Sequence, residues 1–449
     1  MARTGFLGIR INHPAQLVVV AFVAAIALGT ILLLAPFATA TGGRPSVLTA
    51  VFTATSAVCV TGLITVDTAT YWSGYGQGVI LFLVQLGGFG IMTMASFAAL
   101  FISHKLRLRS RLMTRVETGA LDLGDVRTIL IGVAKFTILF EVVAAVALSA
   151  RFWIAYDEAL PRALWLGVFH AVSAFNNAGF ALFSDSLVGF LGDPIILTVV
   201  AVAVIAGGLG FPVVMELRRE PLRWRRWSLH TKLTVSMTVV LLVGGTIAVS
   251  IIEWSNPNTL GALASGETTS AGFFSAVMPR TAGFNAIDYA EVTESTHLIT
   301  ILLMFIGGGA AGTAGGIKVT TAAVIVLMVW AELRGDPDVS RFGRRVPAVA
   351  QRQAISVVLI GLAALFTGNL LLIGFSDFTL SETLFEATSA FGTVGLSNGI
   401  TGLFAAPAQV VLVALMFLGR VGPLTLGTAL VLRERDRLYR FPEERPIIG

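Results

Sequence analysis

The chain has 449 residues, 55% of them hydrophobic and 13% charged, about half the charged fraction of an average soluble domain, which places it in a bilayer. One cysteine, Cys59, excludes an internal disulfide, and the five histidines show no spacing suited to zinc or haem. With no nucleophile and base pair or metal cluster the chain does not read as an enzyme, and its net charge of +5 falls in blocks that reflect membrane topology rather than nucleic-acid binding.

The first apolar stretch, Gln16–Phe37, follows two basic residues and lacks a small-residue cleavage site, so it reads as a true span and not a signal peptide. Further stretches long enough to cross a membrane are Gly78–Ile102, Ile195–Met215, Leu233–Ile252 and Val410–Leu432. Of the 31 Lys and Arg, 25 lie in five segments: two in 1–16, six each in 103–128, 216–232 and 318–352, and five in 433–449. These read as cytoplasmic, and the acid-bearing stretches between them, with Asp67, Asp185, Asp288, Glu291 and Asp377, as the outer face. Five inner and four outer segments require eight crossings with both termini inside.

Between the crossings a short pattern recurs. It reads Phe52, Ser56, Ala57, Gly62, then Phe169, Ser173, Ala174, Gly179, and finally Phe385, Ser389, Ala390, Gly395. A looser third copy has Ser275-Ala276 before Gly283, with Met278-Pro279 as the insertion and a pore helix expected over Glu267–Ala276. Each copy starts as an apolar run of about ten residues, too short to cross, and ends in a glycine loop, so each is a re-entrant element lining a watery cavity. The chain therefore divides into helix–pore loop–helix repeats at 1–112, 113–225, 226–345 and 346–449: an all-α membrane fold of eight spans around a central pore.

The loop tripeptides are Val60-Thr61-Gly62, Asn177-Ala178-Gly179, Thr281-Ala282-Gly283 and Thr393-Val394-Gly395. None carries an acid, so cation ligands must be backbone carbonyls aided by Thr and Asn oxygens, the strategy of potassium filters. The short helix before each loop aims its negative end at the same centre. A second glycine cluster follows each loop in phase: Gly87-Gly88-Phe89-Gly90, Gly207-Gly208-Leu209-Gly210, Gly307-Gly308-Gly309 and Gly419-Arg420-Val421-Gly422. These read as small-residue helix packing.

The third cluster extends further, with glycines at 307, 308, 309, 312, 315 and 316. At about 1 kcal/mol each in a helix, they predict a broken span near mid-membrane beneath the filter, at a different depth from it. Gly307, Gly309 and Gly312 with Glu332 mimic a dinucleotide fingerprint, but no strand precedes them. Arg420 lies inside the last span at a cost of at least about 2.5 kcal/mol, which marks it as functional; it is placed to donate to carbonyls freed by the break. Arg280 should lie behind the filter, held by Glu386 or Glu267, while Glu141, Lys135 and His170 read as structural.

These loops and the arginine resemble the Ktr/Trk/HKT superfamily of potassium transporters, closest to its KtrB-type membrane subunits, over nearly the whole chain. The resemblance implies potassium as the transported ion, sodium as an activator in some members, and no cofactor in this chain. It implies a homodimer with one pore per subunit in the bacterial plasma membrane, on a cytosolic ring of nucleotide-binding, KtrA-like subunits. It makes Gly307, Gly308, Gly309, Gly312, Thr313, Gly315 and Gly316, with Arg420, an intramembrane gate. The competing reading is a sodium-dependent secondary transporter with its site at the broken helix, against which the parallel repeats count.

Overall fold

The computed structural model describes residues 14–111, 123–221, 223–263 and 265–432. Its helices run in the order long, short, returning. The first set is α1 (Pro14–Leu33), α2 (Val47–Val58), the single turn α3 (Thr68–Tyr71) and α4 (Gly74–Arg111). The second is α5 (Leu123–Ala155), α6 (Leu160–Phe175), α7 (Pro194–Leu209) and α8 (Phe211–Arg219). The third is α9 (Leu229–Glu253), α10 (Ser265–Val277), α11 (Glu294–Phe305) and α12 (Val319–Arg334). A hairpin of Ser340–Arg341 and Arg344–Arg345 turns through Phe342 and Gly343, both at positive φ, as a two-residue turn between twisted strands requires. It leads into α13 (Ala348–Gly374), α14 (Leu380–Gly392) and α15 (Ala406–Leu432).

The starts of the elements are written locally. Ser46 caps α2 through Thr49 N, Asp193 caps α7 with Pro194 in its first turn, and Thr379 with Glu382 closes a reciprocal capping box on α14. α10 begins two residues before the stretch expected for the third pore helix.

Polarity is inverted relative to a soluble protein. The long helices α5, α9 and α13 are apolar on all sides and expose Val146, Ile251 and Leu370, each at 65% or more. That is the signature of helices facing lipid. The short helices are the core: Phe52, Phe169, Phe274 and Phe385 are fully enclosed, each contributing about 1.5–3 kcal/mol by burial. Among the described residues four helices, over 74–93, 130–155, 229–253 and 348–374, are long and apolar enough to cross a membrane. The pair α7 and α8, bent by 97°, makes a fifth. α1, α11 and α15 offer shorter apolar stretches, and α11 is short because the chain leaves helix at Ile306, where the glycines begin. The basic side chains of 1–16, 103–128 and 433–449 lie outside the described residues.

Candidate functional site

The four short helices end in one shared backbone conformation. Val60, Asn177, Thr281 and Thr393 take φ of 56°, 60°, 72° and 50°, and two residues on Gly62, Gly179, Gly283 and Gly395 take 90°, 71°, 73° and 94°. Between them the N–H of Thr61, Ala178, Ala282 and Val394 donates back to Ser56 O, Ser173 O, Met278 O and Ser389 O at 2.7–3.0 Å. With the amides turned into the helix ends, the carbonyls are left for the centre.

The loops form a closed ring. A methyl group placed on Gly62 would lie 2.2 Å from Ala178 O, one on Gly179 2.7 Å from Ala282 O, one on Gly283 2.3 Å from Val394 O, and one on Gly395 2.1 Å from Thr61 O. Each glycine thus accommodates the central carbonyl of the next loop, and the fourth returns to the first. Positive φ and lack of space both exclude a side chain.

What fixes each loop differs. The hydroxyls of Ser56 and Ser389 accept from Gly62 N at 3.0 Å and Gly395 N at 3.1 Å, which accounts for the serine in the pattern. Ser173 instead donates to Phe180 O at 2.8 Å. Among the described residues Ser275 Oγ has no hydrogen-bond partner; Gly283 N turns to Met278 O at 3.3 Å, so Met278 of the insertion supplies by its backbone what serine supplies in the first and fourth loops.

One mouth of the ring opens into a cavity of about 460 Å³ lined by the four glycines and by Asp67, Asp185 and Asp288, with no Lys or Arg in its wall. Burial raises the Asp67 pKa, but hydrogen bonds from Ser184, Thr70 and Ala69 outweigh it and hold the carboxyl below its ordinary value. Glu386, enclosed on α14, accepts from Ser397 Oγ at 2.5 Å, Asn398 N at 3.2 Å and Thr401 Oγ1 at 2.7 Å, fixing the chain that leaves the fourth loop.

Against the other side of the ring lies residues 306–318, a non-helical segment. Gly307 N donates to Ile317 O at 2.8 Å, Gly309 N to Gly208 O at 2.7 Å, and Thr313 N to Gly207 O at 3.1 Å. Three basic side chains hold it, two of them buried and Lys318 half-buried: Arg420 Nη1 donates to Thr313 O at 2.5 Å, Arg280 Nη2 to Gly307 O at 3.4 Å, and Lys318 Nζ to Ala314 O. Among the described residues none of the three forms an ion pair; each donates instead to a backbone carbonyl of the segment.

A model of the family described as TrkH, cation transport protein, matches residues 4–440. This chain belongs to the TrkH cation transport family. The Ktr system potassium uptake protein B of Bacillus subtilis is 38% identical over 97% of each chain. The potassium/sodium uptake protein NtpJ of Enterococcus hirae is 34% identical, again over 97% of each. The crystal structure of the potassium transporter TrkH from Vibrio parahaemolyticus superposes with a TM-score of 0.72 at 17% identity, covering 96% of this chain and 87% of that one, a likeness of fold.

Two readings of this TrkH-family sequence need correction. Arg280 is held by neither Glu386 nor Glu267: it donates to Gly307 O and to Thr238 Oγ1, the latter at 3.4 Å. The glycine-rich segment lies in direct contact with the ring, Asn177 and Thr393 touching Thr313 and Gly315. The later glycine clusters do pack helices closely, a methyl on Gly87, Gly207 or Gly419 falling within 2.1 Å of Val58 O, Phe175 O or Phe391 O, but the second also breaks its helix at Gly210, φ 92°. Gly210-Phe211-Pro212 carried that signal, a glycine stop followed by a proline start. The role of Lys318 was missed. His170 and Glu141 are structural: His170 accepts from Leu182 N at 3.2 Å, and Glu141 accepts from Asn176 Nδ2 at 3.0 Å.

Proposed function

We propose that this chain is the potassium-conducting membrane subunit of a Ktr-type uptake system, in which potassium sheds its water into the ring of loop carbonyls. The observation that carries this reading is the closed cycle of four glycine-to-carbonyl contacts with no acid in the ring. Carbonyl dipoles without fixed charge suit a large, weakly hydrated monovalent cation, and the acidic mouth concentrates it. Names of relatives that include potassium uptake support the same ion.

The remaining parts follow from that path. Eight crossings in four parallel repeats put the acidic mouth outside and the basic segments, with both termini, inside. Segment 306–318 closes the inner side of the ring, and Arg420 and Lys318 hold it there by charged hydrogen bonds. The chain takes its signal from a cytosolic nucleotide-binding ring docked on the segments around Arg223–Lys232 and Arg341–Arg352, and two copies assemble on it. Sodium-linked transport is the second reading, favoured by the relative named for potassium and sodium.

Rubidium uptake by potassium-transport-deficient cells expressing the chain tests the function. Uptake above empty-vector cells that excess potassium suppresses, and excess sodium does not, is the expected result; no uptake with the protein present in the membrane defeats it.

A further inference from the structure

Thr313 stands where the glycine-rich segment meets the second loop, and it is fully enclosed. Its carbonyl accepts from Arg420, while its hydroxyl donates to Phe175 O, the last residue of α6, at 3.2 Å. In the carboxamide orientation that satisfies both ends of Asn177, Nδ2 donates to the same hydroxyl at 2.9 Å, to Val204 O at 3.2 Å and to Phe175 O at 3.3 Å. The far end of that amide lies 3.5 Å from Thr281 Oγ1 in the third loop. One side chain therefore joins the end of α6, the second loop and, through the amide, the third loop to a segment whose carbonyl is held by an arginine.

The fourth loop rests on the same segment. A methyl on Gly315 would lie 1.9 Å from Thr393 Oγ1, so Thr393 is seated directly on the glycine. Asn177 and Thr393 are both non-glycine residues in the left-handed region, a conformation that persists only where the surroundings over-determine it. Part of what determines it here is the segment, and withdrawal of the segment removes that support from both loops and from the third, where Thr281 packs on Gly307. Val60 of the first loop packs on Gly87 instead, so the loss spares the first loop and falls on the other three.

We propose that Thr313 is a positioning residue that couples the segment to the ring, so that discrimination between potassium and sodium depends on whether the segment is seated. The proposal rests on the ring being the ion path. A seated segment holds the second, third and fourth loops at the spacing that prefers the larger ion, and a displaced one relaxes them. Conductance and selectivity are then linked quantities, reporting two ends of one contact.

The test uses the full chain in liposomes, with rubidium and sodium influx measured for wild type and for Thr313→Val, Thr313→Ser and Arg420→Ala. Thr313→Val keeps the shape and removes the hydroxyl; a neutral hydrogen bond of ordinary strength corresponds to a roughly two- to tenfold fall in the rubidium-to-sodium ratio. Thr313→Ser should restore most of it, which a merely space-filling role would not predict. Arg420→Ala frees the other end of the same residue and should lower the ratio in the same direction. A wild-type ratio in Thr313→Val overturns the coupling. So does a wild-type ratio in Arg420→Ala, a measurement that stands even where Thr313→Val does not fold. Wild-type liposomes that pass neither ion defeat the ion path itself, and the proposal with it, a result distinct from either.

Discussion

The third loop and the fourth reach the same backbone conformation by different means. In the fourth, Ser389 ties down Gly395 N and Glu386 secures the outgoing chain. In the third, the serine is idle, a backbone carbonyl from the insertion takes its place, and Arg280 reaches from the loop to Gly307 and Thr238. Ring geometry is what the repeats share; how each is anchored varies with what lies behind it. Both loops touch the segment between α11 and α12, the fourth through Thr393 on Gly315 and the third through Arg280 on Gly307, but only the fourth is also locked by the serine of its own helix.

The largest effect that would break this comparison is at the ring. Gly62→Ser places a side chain at φ 90° and 2.2 Å from Ala178 O, and should lower discrimination against sodium by at least about tenfold, each factor of ten being about 1.4 kcal/mol. Gly244→Ala, in α9 with open space around it, should leave flux unchanged. Flux-ratio measurements on the two separate ring geometry from glycine content; wild-type selectivity in Gly62→Ser removes the first loop from the filter.

Next in size is Arg420→Ala. A charged hydrogen bond contributes about 1.5–3 kcal/mol, so rubidium flux without the cytosolic partner should rise by roughly one to two orders of magnitude. Deleting Gly309–Gly315 should act in the same direction. Unchanged or lower flux in both folded variants makes the segment a packing element.

The serines sharpen the contrast directly. Ser389→Ala and Ser56→Ala should each cost about 1 kcal/mol, read as a lower thermal midpoint, while Ser275→Ala should cost nothing measurable. Equal losses at all three would erase the distinction between the anchors.

The smallest effect concerns pH. The Asp67 carboxyl is held below its ordinary value in the folded chain, so its contribution to stability is complete above about pH 4, the ordinary value, and is lost as pH falls through the lower folded value. Thermal midpoints between pH 7 and 3 should drop less steeply in Asp67→Asn than in wild type; parallel curves would mean the hydrogen bonds around Asp67 do not favour its charged form.

Much of this was readable in the sequence because the elements are local. A serine six residues before a glycine is a short-range constraint, and a run of glycines breaks a helix whatever surrounds it, so the loop positions and the interruption at 306–318 follow from spacing alone. What spacing does not contain is reach across the molecule. The partners of Arg280 are 27 and 42 residues away, and Thr313 meets Asn177 across 136. An acid partner for a buried arginine is the usual rule, and carbonyls released by the break replaced it. The contact of the segment with the ring was hidden for the same reason, since glycine predicts that a chain leaves helix without saying what it then touches.

The ring of four contacts begins and ends in one polypeptide. Its diameter is therefore set by covalent connectivity and not by an association constant, and dilution or a detergent that separates copies has no means of opening it. The four positions also mutate independently, so a single substitution alters one quarter of the circumference, in contrast to a pore assembled from identical chains, where every change appears four times over. A protein built this way can tune such a ring in steps smaller than symmetry would otherwise permit.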